Sequence, residues 1–335
     1  MSTKELYYVV EDANWSIKND GEVVTSKLKH IITSKITITH YGIRNSIIHY
    51  GSINTFLGQD KIKLPHKSNK VIVTWFHVVP DENRFNLIKE AVMYIDIWHT
   101  SCEVTQRKMI NLGIPKNKIV LIPLGVDLKH FKPIELQDKN KLKNKLKIPS
   151  GKVVLGSFQK DGNGWDEGLL PKLIKGPDVF CDVVEKLFKK YDLFVLLTGP
   201  ARGYVKKRLD SANIPYMHEF FDNSNEVAEH FKAIDLYMVT SREEGGPKSI
   251  LESMACGIPL ISTRVGMAED IIENEKNGFL VDIEDVDGIY IKACNIIDNN
   301  NLANTLIQNG LKKIENYDSN LIAQKYYEKL YKELI

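Results

Sequence analysis

The sequence predicts an α/β protein of two doubly wound domains, each a largely parallel sheet with helices on its faces. Three observations carry that expectation. The length of 335 residues suits two domains of roughly 130 to 180 residues. Short β-branched and aromatic runs alternate with segments of helical apolar spacing. The alternation then restarts after a lysine-rich stretch near the middle of the chain. Strands that alternate with helices build parallel sheets, because each helical crossover covers a face.

The strand runs of the first half are LYYVV (6–10), KITIT (35–39), VIVTWFH (71–77), IDIWHTS (95–101) and KIVLIPL (118–124). Arg84 to Tyr94 and Glu103 to Leu112 have helical spacing, and Gly113 and Pro115 close the second of these helices. Ligands of such sheets sit at the carboxyl ends of strands. Three polar places fall there: the loop after Val10 (EDANWSIKNDG), His77, and Thr100-Ser101 with Glu103. By residue type alone His77 reads more readily as a packed or solvated histidine than as a catalytic one. LIPLGVDLKHFKP (121–133) ends the domain.

The stretch 134–150 is rich in lysine, with Leu136, Leu142 and Leu146 as a thin apolar stripe. It reads as an interdomain linker running into a solvated helix. A basic amphipathic helix can also lie on an anionic membrane, which leaves peripheral membrane contact as the second reading.

In the second half VVLGSF (153–158) is a strand, followed by a Gly-rich insert and a helix from Pro177 to Lys190. LFVLLTG (193–199) reads as a buried strand, and a helix follows in ARGYVKKRLD. IPYMHEFF, SNEVAEHFKA and DLYMVT continue the alternation, and GFLVD (278–282) completes it. The last segment places Ile322, Tyr326, Leu330 and Leu334 four apart, one apolar stripe for packing on a domain surface. The expected division is 1–133, 134–150 as linker and first helix, 151–315, and 316–335 as a terminal helix.

Val239 to Glu269 is the most informative stretch. A strand ends in a polar turn with Glu243, Glu244, Gly245 and Gly246, and a helix opens at Pro247 and closes at Gly257. Glu244 and Glu252 are separated by seven residues and can both face the helix N-terminus, where free N–H groups favour an anion. Carboxylates beside a phosphate-attracting helix end suit a ligand with hydroxyls at both ends and phosphates between. A nucleotide-sugar is such a ligand. Lys160 and Lys175 bracket the insert and are candidates to meet phosphates, with Arg202 a weaker one.

A net charge of +2 demands no nucleic-acid partner. No stretch has the apolar length of a signal peptide or membrane span. Cys102, Cys181, Cys256 and Cys294 form no C-x-x-C pair and read as reduced thiols, consistent with a cytoplasmic location. Asp285-Val286-Asp287 has the D-x-D pattern that holds metal on a diphosphate, but before a helix it reads as capping aspartates. No metal and no cofactor is expected.

With Glu244, Gly245, Gly246 and Glu252 in register with ESMACGIPLISTRVGMAE, the sequence resembles glycosyltransferase family 4. LIPLGVDLKHFKP, LIKGPDVFCDVVEKL and FLVDIEDVDG resemble further segments of that family in order. The resemblance implies a GT-B fold, two Rossmann-like domains facing across a cleft with the terminal helix packing back on the first. It implies a retaining transferase that moves a sugar from a nucleotide-diphosphate-sugar to a hydroxyl acceptor in glycan or polysaccharide synthesis. The acceptor would be a glycan, a lipid-linked sugar or a small molecule, reached in the cytoplasm or at the inner face of the membrane. Glu244 would contact the transferred sugar and Glu252 the ribose. Gly245, Gly246, Pro247 and Lys248 would line the sugar and diphosphate. Lys175 would neutralise the diphosphate with Lys160 across the insert 161–174, and His77 would lie over the donor sugar. Asn14 and Trp15 would stand on the acceptor side. Two departures bear on the site: 12–16 replaces the family's Gly-Gly loop, and Gly246 replaces its aromatic. A nucleotide-sugar epimerase and a non-catalytic sugar-nucleotide or glycan-binding relative are the alternatives.

Overall fold

A computed structural model describes residues 4–12, 16–57, 61–78, 82–221 and 226–335. The chain divides into two compact units, Met1–Gly125 with Tyr317–Ile335, and Val126–Asn316.

The first unit is built on six parallel strands: β1 Leu6–Val9, β2 Ser34–Thr37, β3 Ile47–Tyr50, β4 Lys70–Thr74, β5 Ile97–Thr100 and β6 Ile119–Leu121. Their order is β2-β1-β3-β4-β5-β6. Helices α1 Ser16–Leu28, α2 Ile53–Phe56, α3 Glu82–Ala91 and α4 Glu103–Asn111 cross between them. Alternate residues serve opposite faces of the sheet. Ile48, Val71 and Val73 pack in a cluster with Trp75 and Trp98, while Ile47 and Ile72 pack in a second. That second cluster is closed by the terminal helix Ser319–Tyr326 and the wider turn after it, through Ile322, Tyr326 and Leu330 of the expected stripe.

Two features of this unit differ from the sequence reading. The strand IIHY at 47–50 went unread, because four residues after a polar turn carry too little periodicity. The polar loop read from Glu11 onward is helical from Ser16. Gly21 sits inside that helix because a Cβ there would lie 2.7 Å from the Tyr8 ring.

A buried chain of hydrogen bonds crosses three strands of the unit. His99 Nε2 lies 3.0 Å from the Ile122 carbonyl, and Thr74 Oγ1 lies 2.8 Å from both His99 Nδ1 and His49 Nε2. His49 Nδ1 meets the Tyr331 hydroxyl at 2.7 Å. The Ile122 carbonyl can only accept, so His99 Nε2 donates to it and Nδ1 accepts from Thr74. His49 Nε2 then donates to Thr74, and Tyr331 donates to His49 Nδ1. Both rings are thereby neutral. Burial, and then the nearness of a second histidine at His99, pushes His49 well below the usual histidine range, and burial pushes His99 down to about 4.

The second unit holds β7 Val153–Phe158, β8 Leu193–Thr198, β9 Tyr216–Glu219, β10 Leu236–Val239, β11 Leu260–Thr263 and β12 Phe279–Val281. They are parallel, in the order β12-β11-β10-β7-β8-β9. Helices α5 Leu136–Lys145, α6 Pro177–Phe188, α7 Gly203–Ser211, α8 Val227–Ala233, α9 Lys248–Ala255, α10 Ala268–Ile271, α11 Val286–Asp298 and α12 Asn300–Ile314 accompany them. Strand order reverses between β7 and β10, and ligands of doubly wound sheets bind beyond the carboxyl ends at such a reversal.

The stretch 134–150 is not a bare linker. Lys139 and Lys143 each reach Asp235, at the start of β10, at 2.8 Å, tying α5 to the sheet. Burial opposes the charge of Asp235, but the two lysines outweigh it and hold its carboxyl below the usual range. Phe131 is likewise packed edge-on against Phe231 in this unit, so the division falls after Gly125. All four cysteines are free thiols. Among the described residues no helix is long and apolar enough to cross a membrane.

Candidate functional site

The loops that leave β7 and β10 at the strand-order reversal carry the predicted donor residues. Gln159-Lys160 follow β7, and Thr240 to Pro247 connect β10 to α9. Lys175 comes to them at the end of the insert, in a turn that ends at Gly176 and opens α6.

That turn is interlocked with the β10–α9 loop. Gly176 has φ +61°, and a Cβ there would lie 1.9 Å from the Thr240 carbonyl oxygen, so glycine alone permits the approach. Thr240 Oγ1 donates to the Gly176 carbonyl at 2.8 Å, and the Arg242 amide donates to the Ile174 carbonyl at 2.8 Å. The Arg242 guanidinium forks onto Asp178 at 2.9 and 2.7 Å and donates to the Leu173 carbonyl at 2.6 Å. Burial opposes the charge on Asp178, but Arg242 holds its carboxyl below the usual range. On the other side Gly266 packs where a Cβ would lie 2.4 Å from the Glu244 carbonyl oxygen.

The result is a fixed ion pair. Lys175 Nζ lies 2.6 Å from Glu244 Oε1, and Ser241 Oγ donates to the same oxygen at 2.9 Å. Glu244 is 7% exposed. Lys160 and Lys172 stand around this pair: Lys172 is depressed by burial, then by the charges of Lys175 and Lys160, while Glu244 opposes the shift. Lys160 is lowered by desolvation, and its ammonium sits 3.8 Å from the Trp165 ring centre. Lys172 is a cation that sequence reasoning passed over; it sits inside the insert, and nothing in the local pattern separates it from a surface lysine.

Gly245 and Pro247 are buried, and Gly246 and Lys248 half-buried, at the start of α9. The Gly245 carbonyl accepts from the Met267 amide at 3.2 Å. No side chain caps α9 at Pro247. Glu252 is half-buried on the same helix. The Glu244 and Glu252 pair therefore brackets the opening of α9, with lysines opposite Glu244.

Other candidates stand elsewhere. Arg202, expected to contact the donor, is buried and committed. Its Nε pairs with buried Asp161 at 2.9 Å, and its guanidinium donates to the Ser157 and Thr198 carbonyls at 2.6 and 2.7 Å and to Ser157 Oγ at 2.8 Å. It clamps the base of the insert instead, because a buried carboxylate at 161 needs a cation. Asp285 caps α11 by accepting from the Gly288 amide at 2.8 Å, and Asp287 pairs with Lys186. His77 is exposed just past the carboxyl end of β4 in the first unit. Asn14 and Trp15 lie outside the described residues.

Residues 169–313, which contain Lys172, Lys175, Glu244 and Glu252, match the family described as Glycosyl transferases group 1. The chain is 27% identical over 233 residues to the N,N'-diacetylbacillosaminyl-diphospho-undecaprenol alpha-1,3-N-acetylgalactosaminyltransferase of Campylobacter jejuni, covering 68% of this chain and 57% of that protein. It is 27% identical over 212 residues to the UDP-Gal:alpha-D-GlcNAc-diphosphoundecaprenol alpha-1,3-galactosyltransferase of Escherichia coli, covering 61% of this chain and 51% of that one. The chain thus spans a little over half the length of these curated relatives. Two solved structures share its fold at low identity. A glycosyltransferase from Rickettsia africae has TM-score 0.75 and 18% identity, covering 100% of this chain and 99% of its own. Anabaena HepE, in complex with UDP and glucose, has TM-score 0.77 and 16% identity, covering 98% and 99%. The expected pair of Rossmann-like units of GT-B type is the fold found.

Proposed function

We propose, from the match of residues 169–313 to Glycosyl transferases group 1, that this protein is a retaining glycosyltransferase. It moves a sugar from a nucleotide-diphosphate-sugar to a hydroxyl acceptor. The observation that carries the reading is the Lys175–Glu244 pair at 2.6 Å, fixed at the strand-order reversal with Lys160 and Lys172 around it.

The chemistry follows from charge. Departure of a nucleoside diphosphate builds negative charge, which the lysines and the N-terminus of α9 stabilise without a metal ion. Glu244 takes the hydroxyls of the transferred sugar, and Glu252 those of the ribose. With no nucleophile assigned on the protein, the acceptor attacks on the face the diphosphate leaves, and the departing phosphate takes its proton. His77 enters this scheme from the family resemblance alone. Two relatives are named for diphospho-undecaprenol substrates, which favours a lipid-linked sugar as acceptor and a site of action in the cytoplasm at the inner face of the membrane.

A thermal-shift screen across UDP-, GDP-, ADP- and CMP-sugars identifies the donor, because a bound ligand stabilises by mass action. With that donor, Glu244→Ala and Lys175→Ala should each lower turnover about 10²-fold or more, ~3 kcal/mol of transition-state stabilisation. Near-normal turnover in both refutes the site. Interconversion of the sugar with no acceptor and no net release of nucleotide would point to the epimerase.

A further inference from the structure

Two donors to Glu244 converge on one oxygen. Lys175 Nζ and Ser241 Oγ approach Oε1 at 2.6 and 2.9 Å. Ser241 is fully buried, and its backbone is pinned as well: Thr263 Oγ1 donates to the Ser241 carbonyl at 2.6 Å. Thr263 is fully buried in β11, the neighbour of β10, so the sheet itself holds Ser241 in place. Lys175, by contrast, is partly exposed, with 19% of its side chain accessible. The two contacts are unlike: one is a short hydroxyl on a rigid backbone, the other a long cationic side chain at the surface of the loop.

That difference matters once a diphosphate arrives. A lysine ammonium shared between a carboxylate and a phosphate holds the carboxylate less firmly, and a buried carboxylate is costly to leave loosely bonded. We propose that Ser241 is a positioning residue for Glu244: its hydroxyl holds Oε1 while Lys175 is drawn to the donor diphosphate, and so keeps the carboxylate aimed at the transferred sugar. The inference rests on the reading that Glu244 meets the sugar and Lys175 the diphosphate. In this role Ser241 acts through Glu244.

The consequence is selective. Loss of the hydroxyl disturbs what Glu244 binds and leaves what the lysines bind. The test compares wild type, Ser241→Ala and Ser241→Thr, each with UDP against UDP-glucose, UDP-galactose and UDP-N-acetylglucosamine, and with GDP against GDP-mannose. Melting shifts give binding, and kcat and KM are measured for whichever sugar binds. In Ser241→Ala, nucleotide diphosphate affinity should stay within about 2-fold of wild type. Nucleotide-sugar affinity or kcat should fall about 10- to 100-fold, the scale of a hydrogen bond to a charged group. Ser241→Thr, which retains the hydroxyl, should recover most of the loss. Equal losses for nucleotide and nucleotide-sugar, or recovery absent in Ser241→Thr when its melting temperature matches wild type, overturn the inference, as does Ser241→Ala with both sugar binding and kcat unchanged. If wild type neither binds nor turns over any nucleotide-sugar, the functional reading falls and this inference with it. If wild type binds and turns over a nucleotide-sugar and Ser241→Ala does so equally, only the role of Ser241 falls.

Discussion

The buried chain Tyr331–His49–Thr74–His99–Ile122 makes the first unit sensitive to acid, by an amount the structure sets. Both rings must be neutral for the donors and acceptors to alternate, and burial holds both below the ordinary histidine value of 6.5, His99 at about 4. In the unfolded chain each regains that ordinary value. Between the two values the unfolded state binds more protons, so folding is weakened there. The stability these groups contribute is complete above pH 6.5 and is lost as pH falls toward 4. For His99 the fall from 6.5 to about 4 corresponds to ~3 kcal/mol, a slope of about 1.4 kcal/mol per pH unit, and His49 adds in the same direction. Burial also lowers His40, His218 and His230 despite partners that oppose it, so the raw slope of the protein mixes several groups. The difference between wild type and His99→Gln isolates the one, because the amide can accept from Thr74 and donate to Ile122 without titrating. The assay is urea unfolding between pH 7.5 and 4.5, read by the fluorescence of Trp75 and Trp98, both buried in this unit. Wild type should track His99→Gln above pH 6.5 and lose stability relative to it below that, approaching the stated slope. Parallel curves for the two proteins would refute the neutral-ring chain.

Three further outcomes are expected. Arg202→Met leaves Asp161 buried without its cation and should cost about 3–5 kcal/mol by chemical denaturation, with the insert becoming susceptible to limited proteolysis; a loss under ~1 kcal/mol would mean the clamp is not structural. Gly176→Ala forces a Cβ toward the Thr240 carbonyl at a positive φ, so it should destabilise the second unit on the order of 2–4 kcal/mol and depress turnover by separating Lys175 from Glu244; wild-type melting and turnover would contradict the interlock. Turnover should survive EDTA, since charge neutralisation is assigned to lysines; strict Mg²⁺ dependence would return Asp285 and Asp287 to consideration.

Much of this was legible in the chain because it is local. VVLGSF, LFVLLTG and DLYMVT read as buried strands because an apolar run between turn residues has one use in an α/β unit. The spacing of Glu244 and Glu252 across Gly246-Pro247 is local too, and so is the stripe Ile322, Tyr326, Leu330 of the terminal helix. The strand at 47–50 and the helix through Gly21 were not legible, since one is too short to show a period and the other is polar with a glycine that only the Tyr8 ring explains.

The sequence by itself determined that two doubly wound units would form, and that a carboxylate pair would flank a helix opening in the second. Only the tertiary structure decided which charges serve that pair. Arg202 and Lys175 are alike on paper, each a cation near a glycine, but a buried carboxylate at 161 takes the first into the interior and leaves the second beside Glu244. Lys172, Ser241 and Arg242 enter for the same reason. Their partners are set by which strand ends lie side by side at the β7–β10 reversal, and strand order is a long-range property that no window of sequence contains.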